Sequence, residues 1–182
     1  MPPHSDSATS PVQALIEDGT LTGSWVLDPA RSDVRLESRH TWGLLPVRGV
    51  FRQVSGSGTV TADGQVTGTI TVAAGSVDTK STMRDKDLRS AKVFDVANHP
   101  DITYTVDGMQ PASEGARVTG SLTVHGRTRP VSFDAKVSVT GEEVHIDAEV
   151  PVNRADFGLT YSPLRMAPMH NTIVIHAVFT RQ

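Results

Sequence analysis

The chain has 182 residues, enough for one domain, and with 37% hydrophobic and 5% aromatic residues it can bury a core without resembling a membrane protein. A net charge of −3 lacks the basic excess of nucleic-acid-binding domains. The absence of cysteine excludes a disulfide framework, a thiolate metal site and a cysteine nucleophile. Residues 1–22 are rich in Pro, Ser, Thr and Asp and read as a flexible N-terminal tail, with one or two helical turns open over Val12–Asp18. The opening residues Met1 to Asp6 show no basic stretch followed by an apolar core. That predicts a cytoplasmic protein, or an exported one if this N-terminus is a processed one. No stretch approaches the ~18 apolar residues of a membrane-spanning helix.

The domain is expected to occupy residues 23–182. From Gly23 onward the dominant signal is alternation of apolar and polar residues with period two, the mark of strands with one buried face. It marks strands at 33–40, 47–61, 66–73, Ile102–Asp107, Val118–Val124, Val131–Val139, Val144–Val150 and 172–180. Three connections carry turn chemistry: Ala62–Gln65, Asp107–Gly115 and Thr140–Glu143. Two are long. The 74–100 connection contains the helix-like pieces Met83–Arg89 and Ala91–Val96, and 152–171 is punctuated by Pro and Gly. Eight strands with mostly short sequential links predict an all-β, antiparallel, up-and-down barrel or strongly curled sheet, with a β-sandwich as the alternative.

The alternation nominates an inward set. It comprises Val34 and Leu36, then Phe51, then Ile70 and Val72, and then Ile102, Tyr104 and Val106. Further along come Leu122 and Val124, Phe133 and Val137, and Ile146 and Ala148. These medium-sized side chains suit an eight-stranded barrel that keeps room for one ligand. In a meander, alternate connections share an end, so 41–46, 74–100, 125–129 and 152–171 should form one rim. Those segments hold nine Lys or Arg residues against five Asp, an excess of +4 on a chain of −3. Such a rim would suit a ligand with a long tail and a polar or anionic head. Charged, solvated loop helices are the competing reading. His40, Trp42, Arg84, Asp85, Arg89 and Arg154 are the rim candidates. Arg84 or Arg89 is favoured for a head group, and Arg154 as an anchor of its turn. Trp42 lies in the apolar segment Trp42–Pro46, read either as a loop tucked onto the barrel or as a lid or membrane-docking tip.

Catalytic signatures are missing. The seven histidines form no His-x-His or His-Glu-x-x-His pair, although His40, His99, His125 and His170 all fall at the predicted rim. Gly-x-Ser-x-Gly, a Walker loop and Gly-x-Gly-x-x-Gly are absent. The flanking cations make ion pairing or helix capping the better account of Asp85 and Asp87 than acid–base work. No catalytic residue, metal or cofactor is expected.

A series of short motifs carries a resemblance. In order they are Trp25–Pro29, Ser32–Leu36 with His40, Val47–Phe51 with Gly56, and Ser76–Thr79. Then follow Arg84–Ser90, Phe94–Pro100, Val118–Gly126 and Asn153–Gly158. From about residue 24 to the C-terminus the chain resembles the YceI-like family of polyisoprenoid-binding proteins. The resemblance implies an extended, lipocalin-like barrel with a long apolar cavity. It also implies a soluble binding protein for a polyisoprenoid, an isoprenoid quinone or another fatty amphiphile, serving storage, transport or sequestration. Many members carry an export signal that is not visible here. Two other readings stand beside it: a structural or stress-related protein with a packed barrel, and a hydrolase or metal enzyme using rim His and Asp residues. No nucleic-acid partner is expected. Transient membrane contact and a homodimer stay open.

Overall fold

In the computed structural model, residues 9–38, 47–162 and 168–182 are described. The first strand, β1 (Gly23–Leu27), is followed by β2 (Asp33–Ser38), β3 (Val47–Phe51), β4 (Val54–Val60) and β5 (Val66–Ala73). A short 3-10 turn then leads to β6 (Val77–Asp78) and to the helix α2 (Thr82–Arg89). Five long strands complete the chain: β7 (Asp101–Ala112), β8 (Gly115–Val124), β9 (Arg127–Thr140), β10 (Glu143–Asn153) and, after a second 3-10 turn, β11 (His170–Arg181).

All pairings are antiparallel, and the sheet closes as β1-β4-β5-β7-β8-β9-β10-β11 with β11 returning to β1. This is a closed eight-stranded barrel. Closure leaves no edge in that ring. Three of its staves are broken. β1 and β2 both pair with β11, at its two ends, so they are one stave interrupted at 28–32. In the same way β3 and β4, and β5 and β6, extend each other. The upper half, β2-β3-β6, has no pairing to β7, whose ladder with β5 stops at Ala73↔Asp101. The segment after β6 fills that gap: Phe94 is buried and packs on Phe51 with ring centroids 6.1 Å apart.

Strand order confirms the parity of the connections. The turns 61–65, 113–114 and 141–142 lie at one end, the base. The predicted rim segment 41–46 lies outside the described residues, and the connections after β6, β8 and β10 lie at the other end, the rim. There Lys92, from the first long connection, sits 5.2 Å from the ring centroid of Tyr161, from the second.

Three expectations need correction. Residues 9–22 are not a loose tail. The helix α1 (Pro11–Glu17) is capped by Ser10, whose hydroxyl accepts from the Gln13 N–H, and Val12 and Leu21 are buried in the core at 2% and 3% exposure. Residues 1–8 lie outside the described residues. The helical piece expected over Ala91–Val96 is a run of turns, with Asp95 at φ 49°. The hairpin read as a long turn over Asp107–Gly115 is strand almost throughout. A β-bulge between Val106 and Gly108 moves the inward phase from Val106 to Met109, so the alternation breaks while the strand continues.

Candidate functional site

Side chains on one face of every stave meet inside the barrel, and whether they fill it depends on their size. One row of cross-strand neighbours runs Arg181, Trp25, Gly58, Gly68, Val106, Gly120 and Val131. Glycine occupies three places in that row, where a fully packed barrel would carry branched side chains. Two of them also permit close approaches. A Cβ on Gly68 would lie 2.6 Å from the Ser57 carbonyl oxygen, and one on Gly120 would lie 2.7 Å from the Tyr104 hydroxyl. The result is a cavity of about 650 Å³, within the range of small-molecule sites.

The cavity runs from the floor to the rim. Val34, Leu36 and Phe51 line it, as do Ile70 and Val72 on β5 and Ile102, Tyr104 and Val106 on β7. Leu122, Val124, Phe133, Val137 and Ile146 line the opposite wall. Ala148 is buried but does not reach the cavity surface, because its methyl is too short to emerge between its neighbours. On β10 the lining extends from Val144 to Val152, roughly 27 Å along the strand at 3.4 Å per residue. Leu21 and Trp25 line the base. The Trp25 indole N–H donates to the Leu21 carbonyl at 2.9 Å, and the Arg181 guanidinium stacks 4.6 Å from the ring centroid.

Polar groups in the cavity wall are few. Tyr104 donates its hydroxyl to the Val131 carbonyl at 2.7 Å and packs against Phe133, with centroids 5.3 Å apart. Burial, helped by the nearby Asp107 charge, pushes the phenol up to about 12. An uncharged phenol with its proton committed to a carbonyl presents mostly carbon to the cavity.

At the rim the charged candidates separate by what they bond. Asp85 is buried at 8% exposure and accepts from the Thr79 N–H at 2.9 Å and the Thr79 hydroxyl at 2.6 Å, so it pins α2 to the end of β6. Arg89 donates to the carbonyls of Gly75 at 2.7 Å and Val77 at 2.9 Å. Arg89 is favoured for a head group from sequence and Asp85 for ion pairing or capping at the rim; in the structure both act as fasteners, because their polar atoms are spent on backbone and Thr79. Arg154 lines the cavity mouth and donates to the carbonyls of Leu159, Tyr161 and Pro168. Burial lowers its pKa. Arg84 also lines the mouth and is exposed, and its guanidinium makes no hydrogen bond or ion pair among the described residues. Asp87 and Met83 stand beside it. His40 and Trp42 lie outside the described residues.

The interior glycines, Trp25 and Leu21 escaped the sequence reading. A signal existed. Gly68 stands between Val66 and Ile70, and Gly120 between Val118 and Leu122, each in the apolar phase of an alternating strand. A glycine in that phase is a missing side chain on the inner wall.

Solved structures share this architecture. A Burkholderia cenocepacia protein, BcnA, superposes with a TM-score of 0.76 at 22% identity, covering 84% of this chain and 98% of that one. A structure described as a polyisoprenoid binding domain from Saccharophagus degradans gives 0.71 at 16% identity, covering 87% and 98%. Among curated sequences, a UPF0312 protein of Pectobacterium carotovorum is 36% identical over 97 residues, 50% of this chain and 50% of that protein. Protein YceI of Salmonella arizonae is 34% identical over 97 residues, 50% and 51% of the two chains. The chain therefore spans about half the length of the curated relatives it matches. A sequence model of the YceI-like domain matches residues 25–180, nearly the whole barrel, and the chain belongs to the YceI-like domain family.

Proposed function

We propose that this domain binds one long-chain amphiphilic lipid of the isoprenoid class, tail in the barrel and head at the rim, without transforming it. The observation that carries this reading is the glycine-hollowed, almost wholly apolar cavity extending from Trp25 to Arg154. Each methylene moved from water into such a space contributes roughly 0.8 kcal/mol without directional contacts. A long tail is then held tightly by walls that offer few hydrogen bonds. The Saccharophagus degradans relative, described as polyisoprenoid binding, supports an isoprenoid over a straight acyl chain. At the mouth, Arg84 is the cation left over for a head group, since Arg89 and Arg154 serve backbone carbonyls. Such a domain would store, carry or sequester its lipid.

Solvent extraction of the purified protein followed by mass spectrometry tests this. One prenyl species per chain is expected. Extracts from several preparations that contain no stoichiometric lipid, together with failure to take up added prenol, would overturn it.

A further inference from the structure

We propose that Asp95, His99 and His125 form a three-ligand site for a divalent transition-metal cation of the zinc class, on the rim and outside the lipid cavity. One ligand atom from each residue lies within 4.8 Å of the others, and all three side chains are half-buried. It is the one such group of three among the described residues. Two neutral imidazoles and a carboxylate are the ligand set zinc accepts, with a fourth position left for water or another oxygen donor. Tetrahedral coordination at about 2.0–2.1 Å would draw the ligand atoms to roughly 3.3 Å from one another, a movement within reach of side-chain rotation.

The chain goes to some length to bring these groups together. His99 lies two residues before β7, and His125 is the first residue of the two-residue turn between β8 and β9, yet their rings meet edge to face at 5.0 Å. His125 and Gly126 both have positive φ, 52° and 70°, a turn that ordinarily takes Asn-Gly or Asp-Gly. Gly126 clears the space for the second ring, because a Cβ there would lie 2.7 Å from Cε1 of His99. Asp95 is also at positive φ, 49°, and its carboxylate accepts from the Asn98 amide at 2.9 and 3.1 Å. That amide would orient the carboxylate toward a metal. The backbone N–H of His99 donates to the Asp95 carbonyl at 2.8 Å, fixing the two ligands in one turn. The sequence pattern hides the site because Asp95 and His99 are only two ligands, and the third, His125, lies 26 residues beyond His99. Phe94 and Val124, each next in the chain to a ligand, line the cavity, so a cation here would brace the rim against the barrel wall.

The test uses tag-free protein, titrated with zinc against a chromophoric chelator and with cobalt(II) as a spectroscopic reporter. One equivalent is expected to bind, with tetrahedral-type cobalt absorption. His99→Gln, Asp95→Asn and His125→Asn should each weaken zinc at least tenfold while melting like the parent in chelator; Asn at 125 retains tolerance of positive φ. The second histidine pair, His145 and His176, has rings 6.4 Å apart, and His145→Gln/His176→Gln should leave affinity unchanged. No binding at micromolar zinc would overturn the site. So would binding that survives the three variants or is lost only in the double variant. If one variant fails to fold, the other two decide.

Discussion

At the base of the barrel, Trp25 bonds Leu21, Arg181 covers Trp25, and α1 buries Val12, so that end is sealed by apolar packing from a short N-terminal stretch. At the rim, α2 and the two long connections are held instead by charged side chains, Asp85, Arg89 and Arg154, each bonding groups 6 to 12 residues away in the chain. The difference teaches that hydrophobic area can close one end of a barrel while polar fasteners order the long connections at the other. There the loops are ordered by polar fasteners together with the buried Phe94, Phe157 and Leu159.

The contrast can be broken at either end. Deleting residues 1–22 removes the buried Val12 and Leu21 and should lower stability by about 3–6 kcal/mol, at roughly 1.5–3 kcal/mol per buried aliphatic. Denaturant unfolding with unchanged midpoint would show that the base is closed without them. At the rim, Asp85→Ala strands the buried Thr79 N–H and should cost about 2–3 kcal/mol in the same measurement. Arg154→Ala should cost about 2 kcal/mol through loss of its carbonyl contacts. It should also leave the preference for a diphosphate-headed over a neutral prenyl ligand as it was. A lost preference with unchanged melting would make Arg154 a head-group contact.

A smaller effect lies in the wall between the two ends. The Tyr104 phenol titrates at about 12 in the folded chain against about 10 when exposed. Its contribution is therefore complete below pH 10 and is lost as pH rises from 10 through 12. Ultraviolet titration of a Tyr161→Phe variant should show the high value. Titration near 10 would mean that water reaches the Val131 contact.

Much of this architecture was legible because it is periodic. The eight staves, the parity that gathers the long connections and the inward aliphatics all follow from alternation and turn residues. Three kinds of feature were not. The Asp107 bulge shifts the phase of β7 by one residue and disguises its second half as a turn. The rim charges look alike in sequence, since nothing local distinguishes Arg89, spent on Gly75 and Val77, from Arg84 at the mouth. Asp95, His99 and His125 meet only because two connections share an end. Helical turns over Val12–Asp18 were open in the sequence, but composition read the segment as a tail and the burial of Leu21 was not foreseen.

The central claim is that the glycine-lined hollow is where the tail resides. Val106 lines it between Gly68 and Gly120; the Tyr104 ring already covers Gly120, so Val106→Trp extends into the hollow on the Gly68 side. The decisive measurement is the affinity of prenols of increasing length for the parent and for Val106→Trp, with melting temperatures recorded alongside. The account predicts affinity that climbs with chain length in the parent, and a drop of at least tenfold for the longer prenols in a variant that still melts like the parent. Affinity indifferent to chain length, or unchanged by tryptophan at 106, would contradict it.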